Sequence, residues 1–474
     1  MMIDGQRIIQ GGMGAGVSGW RLARAVSATG QLGVVSGTGL DRILARRLED
    51  GDADGHCRRA LELLPFPAMA RRILDRHFIP GGKAAEEPYR SVPMHTVEGD
   101  RAAQELCIAA NFAEVALARE THDNPVGINY LEKIQLPHLA SMYGAMLAGA
   151  AVVIIGAGIP LEVPAVLDAL ARHEATSYPI AVTGAEGGTV RMAFHPQAFW
   201  EDGVTLPALQ RPDFLPIVSS DTLARMLYRR SEGGVAGFVV EHHCAGGHNA
   251  PPRGSLQLTA AGEPAYGPRD AIKLEGIRKL GLPFWLAGAY ATPDRLQEAV
   301  ADGAAGIQVG SAFALCRESG LAESVRRALV EQALRGKTRV LTDGRASPTG
   351  FPFKVAGLEG TLSEEDVYLQ RRRVCDLGFL REPFVRNGGS IGYRCAAEPE
   401  AAFVAKGGDP ADAAGRKCLC NALVANIGMP QVLSGGRREP CLVTLGDDLS
   451  GIDQFCSIEQ PDYSAAHVIR VLLG

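Results

Sequence analysis

Short apolar runs recur along the chain, each ending at glycine or polar turn residues. They are IIQGGMG from Ile8, LGVVSGTG from Leu32, VGINY from Val126, AVVIIGAG from Ala151, LPIVSS from Leu215, GFVVEHH from Gly237, PFWLAGAY from Pro283 and AGIQVG from Ala305. Their apolar positions are consecutive rather than alternating, as in strands buried on both faces. Helical patterns follow most of them. SGWRLARAVSATG has a cap candidate in Ser18 and a glycine stop, SSDTLARMLYRR runs from Ser and Asp to arginines, and TPDRLQEAVADG opens on Thr-Pro and closes on Gly. Strand and helix alternating eight times predict an α/β fold, a parallel (β/α)8 TIM barrel. An open doubly wound sheet is the other arrangement compatible with the pattern.

The units are unevenly spaced. Residues 41–124, between the second and third strands, read as a long helical insertion. A second insertion, between the fourth and fifth strands, contains SYPIAVTGAEGG and RMAFHPQAFW. The uncharged stretch LASMYGAMLAGAAVVIIGAGIPL from Leu139 is as long as a membrane span. It breaks at Gly149 into a helix-like half and a β-branched half, which predicts a buried helix feeding a buried strand and no membrane span. After the eighth strand the periodicity weakens. Residues 1–343 are expected to form the barrel with its insertion, and residues 344–474 an irregular C-terminal extension packed on it.

Composition changes this picture little. The 474 residues carry 48 basic and 53 acidic side chains, a net charge of −5, which argues against a dedicated nucleic-acid binder. The start, MMIDGQRIIQGG, lacks the pattern of a secretory signal, and ten cysteines without one suggest free thiols in the cytoplasm. Five lie within one late segment, Cys441 and the four Cys375, Cys395, Cys418 and Cys420. The four read as small buried apolar residues or, alternatively, as four thiolates for zinc or an iron–sulfur cluster; their spacing matches no standard metal motif. Oligomerisation is left open.

In a parallel barrel, catalytic groups belong at the C-terminal ends of strands. The unusual residues fall there: GGMGAG after the first strand, Asn129 ending the third, Glu241 to His248 of GFVVEHHCAGGHNAPPRG following the sixth, Gly288 after the seventh, and Gly310 with Ser311 after the eighth. A glycine turn leading into a helix, as in GIQVGSAF, suits a phosphate. GGMGAG has the wrong spacing for a dinucleotide fingerprint. A zinc reading of the sixth-strand motif would use His242, His243, Cys244 and His248. Adjacent residues on a strand point to opposite faces, and the spacing is not a known one, so no metal ligand is assigned there. A flavin reading needs only Gly246 and Gly247 for close approach and His248 as a base of near-neutral pKa.

HCAGGHNAPPRG resembles the E-A-G-G-H-x-G signature of the nitronate monooxygenase (2-nitropropane dioxygenase) family, FMN-binding barrels related to FMN-dependent enoyl-ACP reductases. IIQGGMGAGVSGWRLARAVSATGQLGVVSG, NPVGINY, AGIQVGSAFALCRESG and TRVLTDGRASPTGFPFKV are similar to further blocks of that family, in the same order. The resemblance implies that Gly12, Met13 and Gly14 lie against the flavin ring and that Asn129 bonds it, with Glu241 standing where the family commonly has Gln. It implies that Gly246, Gly247, Gly288, Gly310 and Ser311 hold the ribityl phosphate, with Gln308 close by, and that His248 is the catalytic base. The chain departs from the family at Cys244, at Ala289 and Tyr290, and at Pro348 and Thr349, where the family's second arginine is missing.

The resemblance implies an FMN-dependent oxidoreductase that oxidises an alkyl nitronate, or a similar activated carbon acid, with O2. The same barrel and histidine suit an enoyl reductase of fatty-acid or polyketide synthesis that takes hydride from NAD(P)H, with an acyl carrier protein as partner. A third reading has no chemistry: a degenerate flavin-fold scaffold whose late cysteines form a partner-docking module.

Overall fold

The computed structural model describes all residues except Met1, Met2, Asp4, Glu232 and Gly233. Its centre is a sheet of eight parallel strands: β1 (Ile8–Gln10), β2 (Gly33–Ser36), β3 (Val126–Leu131), β4 (Val152–Gly156), β5 (Asp213–Val218), β6 (Phe238–Glu241), β7 (Phe284–Ala287) and β8 (Gly306–Val309). Each strand pairs with its neighbour in sequence, and β8 pairs with β1. A parallel bridge between Ile9 and Leu32 closes the ring, with Gln10 N donating to Leu32 O at 2.9 Å. The fold is a (β/α)8 barrel, and all eight apolar runs are its strands.

Strand alternation explains why these runs carry no polar face. Ile9, Leu32, Val34, Val152, Ile154, Leu215, Val239, Trp285 and Ala287 fill the barrel, while Val153, Ile155, Phe214, Val240 and Leu286 pack outward on helices. The lower end is plugged by Trp285, whose indole N–H donates to Gln6 O at 2.9 Å. Two residues further up the same faces, the register aligns Ile9, Gln308, Ala287 and Glu241 side by side. The polar side chains of Gln308 and Glu241 thus enter the barrel at its C-terminal mouth.

The stretch from Leu139 is a helix, His138–Leu147, then β4, with the turn at Gly149. No helix of the described residues is long and apolar enough to cross a membrane. Ser220 and Thr292 cap helices Asp221–Arg230 and Pro293–Ala301 by accepting from Leu223 N and Arg295 N. Ser18 does not cap the first helix, Trp20–Ser27, which starts after Gly19. Its hydroxyl instead accepts from Met13 N at 2.9 Å and donates to Gly11 O at 2.9 Å, which stiffens the glycine turn after β1.

The first insertion contains helices Leu40–Glu49, His56–Glu62, Pro67–His77 and Arg101–Arg119, with residues 78–100 irregular. The second forms an antiparallel hairpin, Thr176–Ala181 with Thr189–Phe194. After the barrel, Val340–Asp343 pairs antiparallel with Phe353–Ala356, so one hairpin straddles residue 344. Short helices and a second hairpin follow. The last helix, Ala465–Leu473, returns to the barrel, packing on Trp20–Ser27 and Pro293–Ala301.

Candidate active site

One apolar cavity of about 210 Å3 opens at the C-terminal mouth. Every site residue expected from the sequence lines it: Gly12, Met13, Gly14, Asn129, Glu241, Gly246, Gly247, His248, Gly288, Gln308, Gly310 and Ser311. The loops follow separate strands, and the ring closure brings them together.

At the barrel end of the cavity stand Gln308, Glu241 and Asn129. The Gln308 side-chain oxygen is buried without a hydrogen-bond partner. The Glu241 carboxyl is pushed up to about 8 by burial alone, with no cation beside it. It is therefore largely protonated at neutral pH and can donate as well as accept. Asn129 spends one amide hydrogen on Tyr130 O, at 3.2 Å.

Around the rim the backbone comes close. Gly288 has φ +94°, and a Cβ there would lie 3.0 Å from the Cys244 sulfur, so a larger residue would be strained and would crowd that sulfur. Its neighbour Ala289 sits at φ +60°, in the left-handed region that disfavours a side chain. Gly310 precedes a helix of only four residues, Ser311–Ala314. No lysine or arginine lines the cavity among the described residues. A phosphate at this end would be held by backbone N–H groups and the Ser311 hydroxyl.

His248 is fixed from outside the barrel. Its backbone bridges Phe353, Lys354 N donates to Gly247 O at 2.9 Å, and Asn249 N donates to Pro352 O at 3.0 Å. Its ring meets Phe353 edge-on at 4.8 Å, and its Nε2 lies 2.7 Å from Ser347 Oγ, which in turn lies 2.8 Å from Thr349 Oγ1. The near-neutral pKa expected for this histidine is corrected by the structure: burial, and then the Lys133 charge, hold it down at about 3. Lys133 is itself lowered to about 7 by burial and lies over the Phe351 ring.

The four groups of the zinc reading do not converge. His243 stacks on Tyr266 at 4.1 Å, His242 is tilted against Tyr290, and His248 engages Ser347.

Much of the cavity wall comes from the late segment, which sequence reasoning did not place there. Phe379, Leu380, Leu419, Cys420, Leu423 and Val424 supply apolar surface. A strap, residues 443–448, crosses the rim. Thr444 Oγ1 accepts from Gly247 N at 2.8 Å, Gly446 N donates to Ser311 Oγ at 2.9 Å, and Asp447 N donates to Cys244 O at 3.0 Å. The fully buried Lys354 anchors the strap: its ammonium bonds Asp447 at 2.5 Å and Thr342 Oγ1 at 2.6 Å. The sequence signal for the His248 contacts was GRASPTG, which stood out for a missing arginine rather than for the hydroxyl of Ser347.

No family model and no curated protein sequence matches the chain. Among solved structures it is similar to FabK from Thermotoga maritima, at 16% identity, covering 99% of this chain and 91% of that one, with a TM-score of 0.48. It is similar to nitroalkane oxidase from Streptomyces ansochromogenes, at 14% identity over 98% and 94% of the two chains, TM-score 0.47. The enoyl reductase domain of MlnA, from the macrolactin biosynthesis cluster of Bacillus amyloliquefaciens, is similar at 12% identity over 98% and 93%, TM-score 0.45. Likeness this distant carries no function to this chain, and the barrel rests on its own strand pairing.

Proposed function

We propose that the chain is an FMN-dependent oxidoreductase that oxidises an alkyl nitronate, or a similarly activated carbon acid, with O2. The observation that carries this reading is the convergence, on one apolar cavity, of glycine loops from separate strand ends, an unpaired Gln308 oxygen, a neutral Glu241 and the fixed His248. The residues fit the cofactor. Gln308, Glu241 and Asn129 offer the donors and acceptors that the edge of an isoalloxazine ring needs; Gly246, Gly288, Gly310 and Ser311 offer backbone and hydroxyl donors to its phosphate, and Gly247, whose N–H is taken by Thr444, offers close approach. FMN, when bound, would supply the electron transfer between carbon acid and oxygen.

The protein's part is orientation and charge. His248 is too weak a base to take a proton from a neutral carbon acid at an ordinary rate. It is suited to a substrate that arrives already anionic, to which neutral His248 offers a donor and Lys133, which does not line the cavity but whose charge reaches His248, offers a positive field. The apolar walls exclude water from the reacting atoms.

The wall of Phe379, Leu380, Leu419, Leu423 and Val424 favours a second reading, an enoyl reductase using NAD(P)H, because it suits an acyl chain better than a small nitronate. An acyl carrier protein would then present the substrate. The test is direct: O2 uptake with an alkyl nitronate, against NAD(P)H oxidation with an enoyl thioester. Nitronate-dependent O2 uptake supports the first reading. Enoyl-dependent NAD(P)H oxidation without it replaces the first by the second.

A further inference from the structure

Cys375, Cys395, Cys418 and Cys420 come from three separate parts of the late segment: the loop after helix Glu365–Gln370, the end of hairpin strand Ile391–Arg394, and the start of helix Leu419–Ala425. All four line one closed cavity of about 10 Å3, room for a single atom-sized body. Cys395 and Cys418 are buried and pack with Cys420 in a small cluster of their own, apart from the main cores. All four are free thiols.

Two neighbours favour negative sulfur here. Asn421 directs its side-chain amide at the Cys418 sulfur, at 3.8 Å. Arg371, whose side chain is 1% exposed, uses only Nε on Glu439 and leaves both terminal nitrogens without partners. Glu439 answers one edge of this guanidinium, and its two idle N–H groups are free to face further negative charge.

We propose that Cys375, Cys395, Cys418 and Cys420 form a tetrathiolate site for one Zn2+ ion, independent of the flavin site. Four sulfur donors are what a closed structural zinc site uses. The complex would carry two net negative charges, which the Asn421 amide and the Arg371 guanidinium, itself shared with Glu439, would offset in part. As the side chains stand, no three ligand groups of the described residues are disposed to hold a metal ion. The four sulfurs line the cavity without converging on one point. Rotation about a single torsion re-aims a cysteine sulfur. Binding exchanges thiol protons for the metal, without oxidation or reduction.

The site would also serve the main cavity. Leu419, Cys420, Leu423 and Val424, on the helix that starts at the site, line that cavity, and Cys420 and Leu419 border both spaces. Zinc would pin this wall to the loop carrying Cys375 and the hairpin carrying Cys395.

Elemental analysis of the full chain, purified without a metal-affinity tag, tests the proposal. About one zinc per chain is expected, and Cys418→Ser with Cys420→Ser should lose it. Because that variant could fail to fold, the intact chain is also titrated with an organomercurial, thiol loss and zinc release being followed together. Release of zinc in step with about four thiols supports the site. Absence of zinc from the purified chain, and no uptake of added zinc, overturns it, whether the four thiols alkylate freely or are found as disulfides.

Discussion

His248 stays neutral across the physiological range because its ring is buried and Lys133 adds a repelling charge. The pH profile of kcat/KM, which reports the free enzyme, should therefore show no break near pH 6.5 from this residue. Lys133 should set the break instead. Its ammonium loses its proton as pH rises through about 7, so capture of an anionic substrate should weaken above that pH. Lys133→Met should abolish the break and lower activity on its acid side; a break unchanged in this variant contradicts the assignment. His248→Ala should keep the flavin and lose about tenfold to a hundredfold in turnover, the cost of one hydrogen bond to a charged substrate. Glu241 gives a stability signature. Its folded pKa, about 8, lies above the ordinary 4.5, so the native state holds a proton that the unfolded chain releases between those values. The stabilisation is complete below about 4.5 and is lost as pH rises to about 8. In the flavin-free protein, Tm of the wild type should fall relative to Glu241→Gln over that window, and a constant difference would show the carboxyl is not held neutral. Ala289, at φ +60°, stores strain. Ala289→Gly should raise stability by about 0.5–1 kcal/mol in denaturant unfolding, strain relief outweighing the added chain entropy.

Among the elements, the strands were legible because burial on both faces leaves continuous apolar runs that nothing else in the chain imitates. The site loops were legible for a related reason: glycines and polar groups stand where each run stops, and barrel closure must gather those ends. The strap at residues 443–448 was not legible. It works through backbone N–H groups and one threonine hydroxyl, and its partners lie 135 or more positions away, at Ser311 and Gly247. Ser18 misled for the opposite reason, being a good cap residue that the glycine turn claims instead. His248 was readable as a residue but not as an acid or base, since its pKa is set by burial under other segments and by the Lys133 charge. The strap makes its own prediction. Lys354→Met removes the buried ammonium that anchors Asp447, and should cost about 1–3 kcal/mol of stability. Flavin should then dissociate about tenfold more readily, measured by fluorescence on dilution, because the strap holds Gly247 and Ser311 in place. Unchanged flavin affinity in a folded variant would show that the strap plays no part in binding.

At the scale of the whole molecule, the barrel supplies the polar mouth and the late segment supplies much of the wall. Residues 344–474 are therefore more than an outer cover: they fix His248, cross the rim and line the cavity. That arrangement also explains why the cavity is apolar away from the barrel end, where Gln308 and Glu241 stand. Binding of FMN is the claim on which the rest of the functional reading depends. The most direct measurement is the absorption spectrum of the purified chain, followed by chromatographic identification of whatever denaturation releases. The expected result is a yellow protein that releases about one FMN per chain. Release of FAD, or a colourless chain that binds no added FMN, would contradict it.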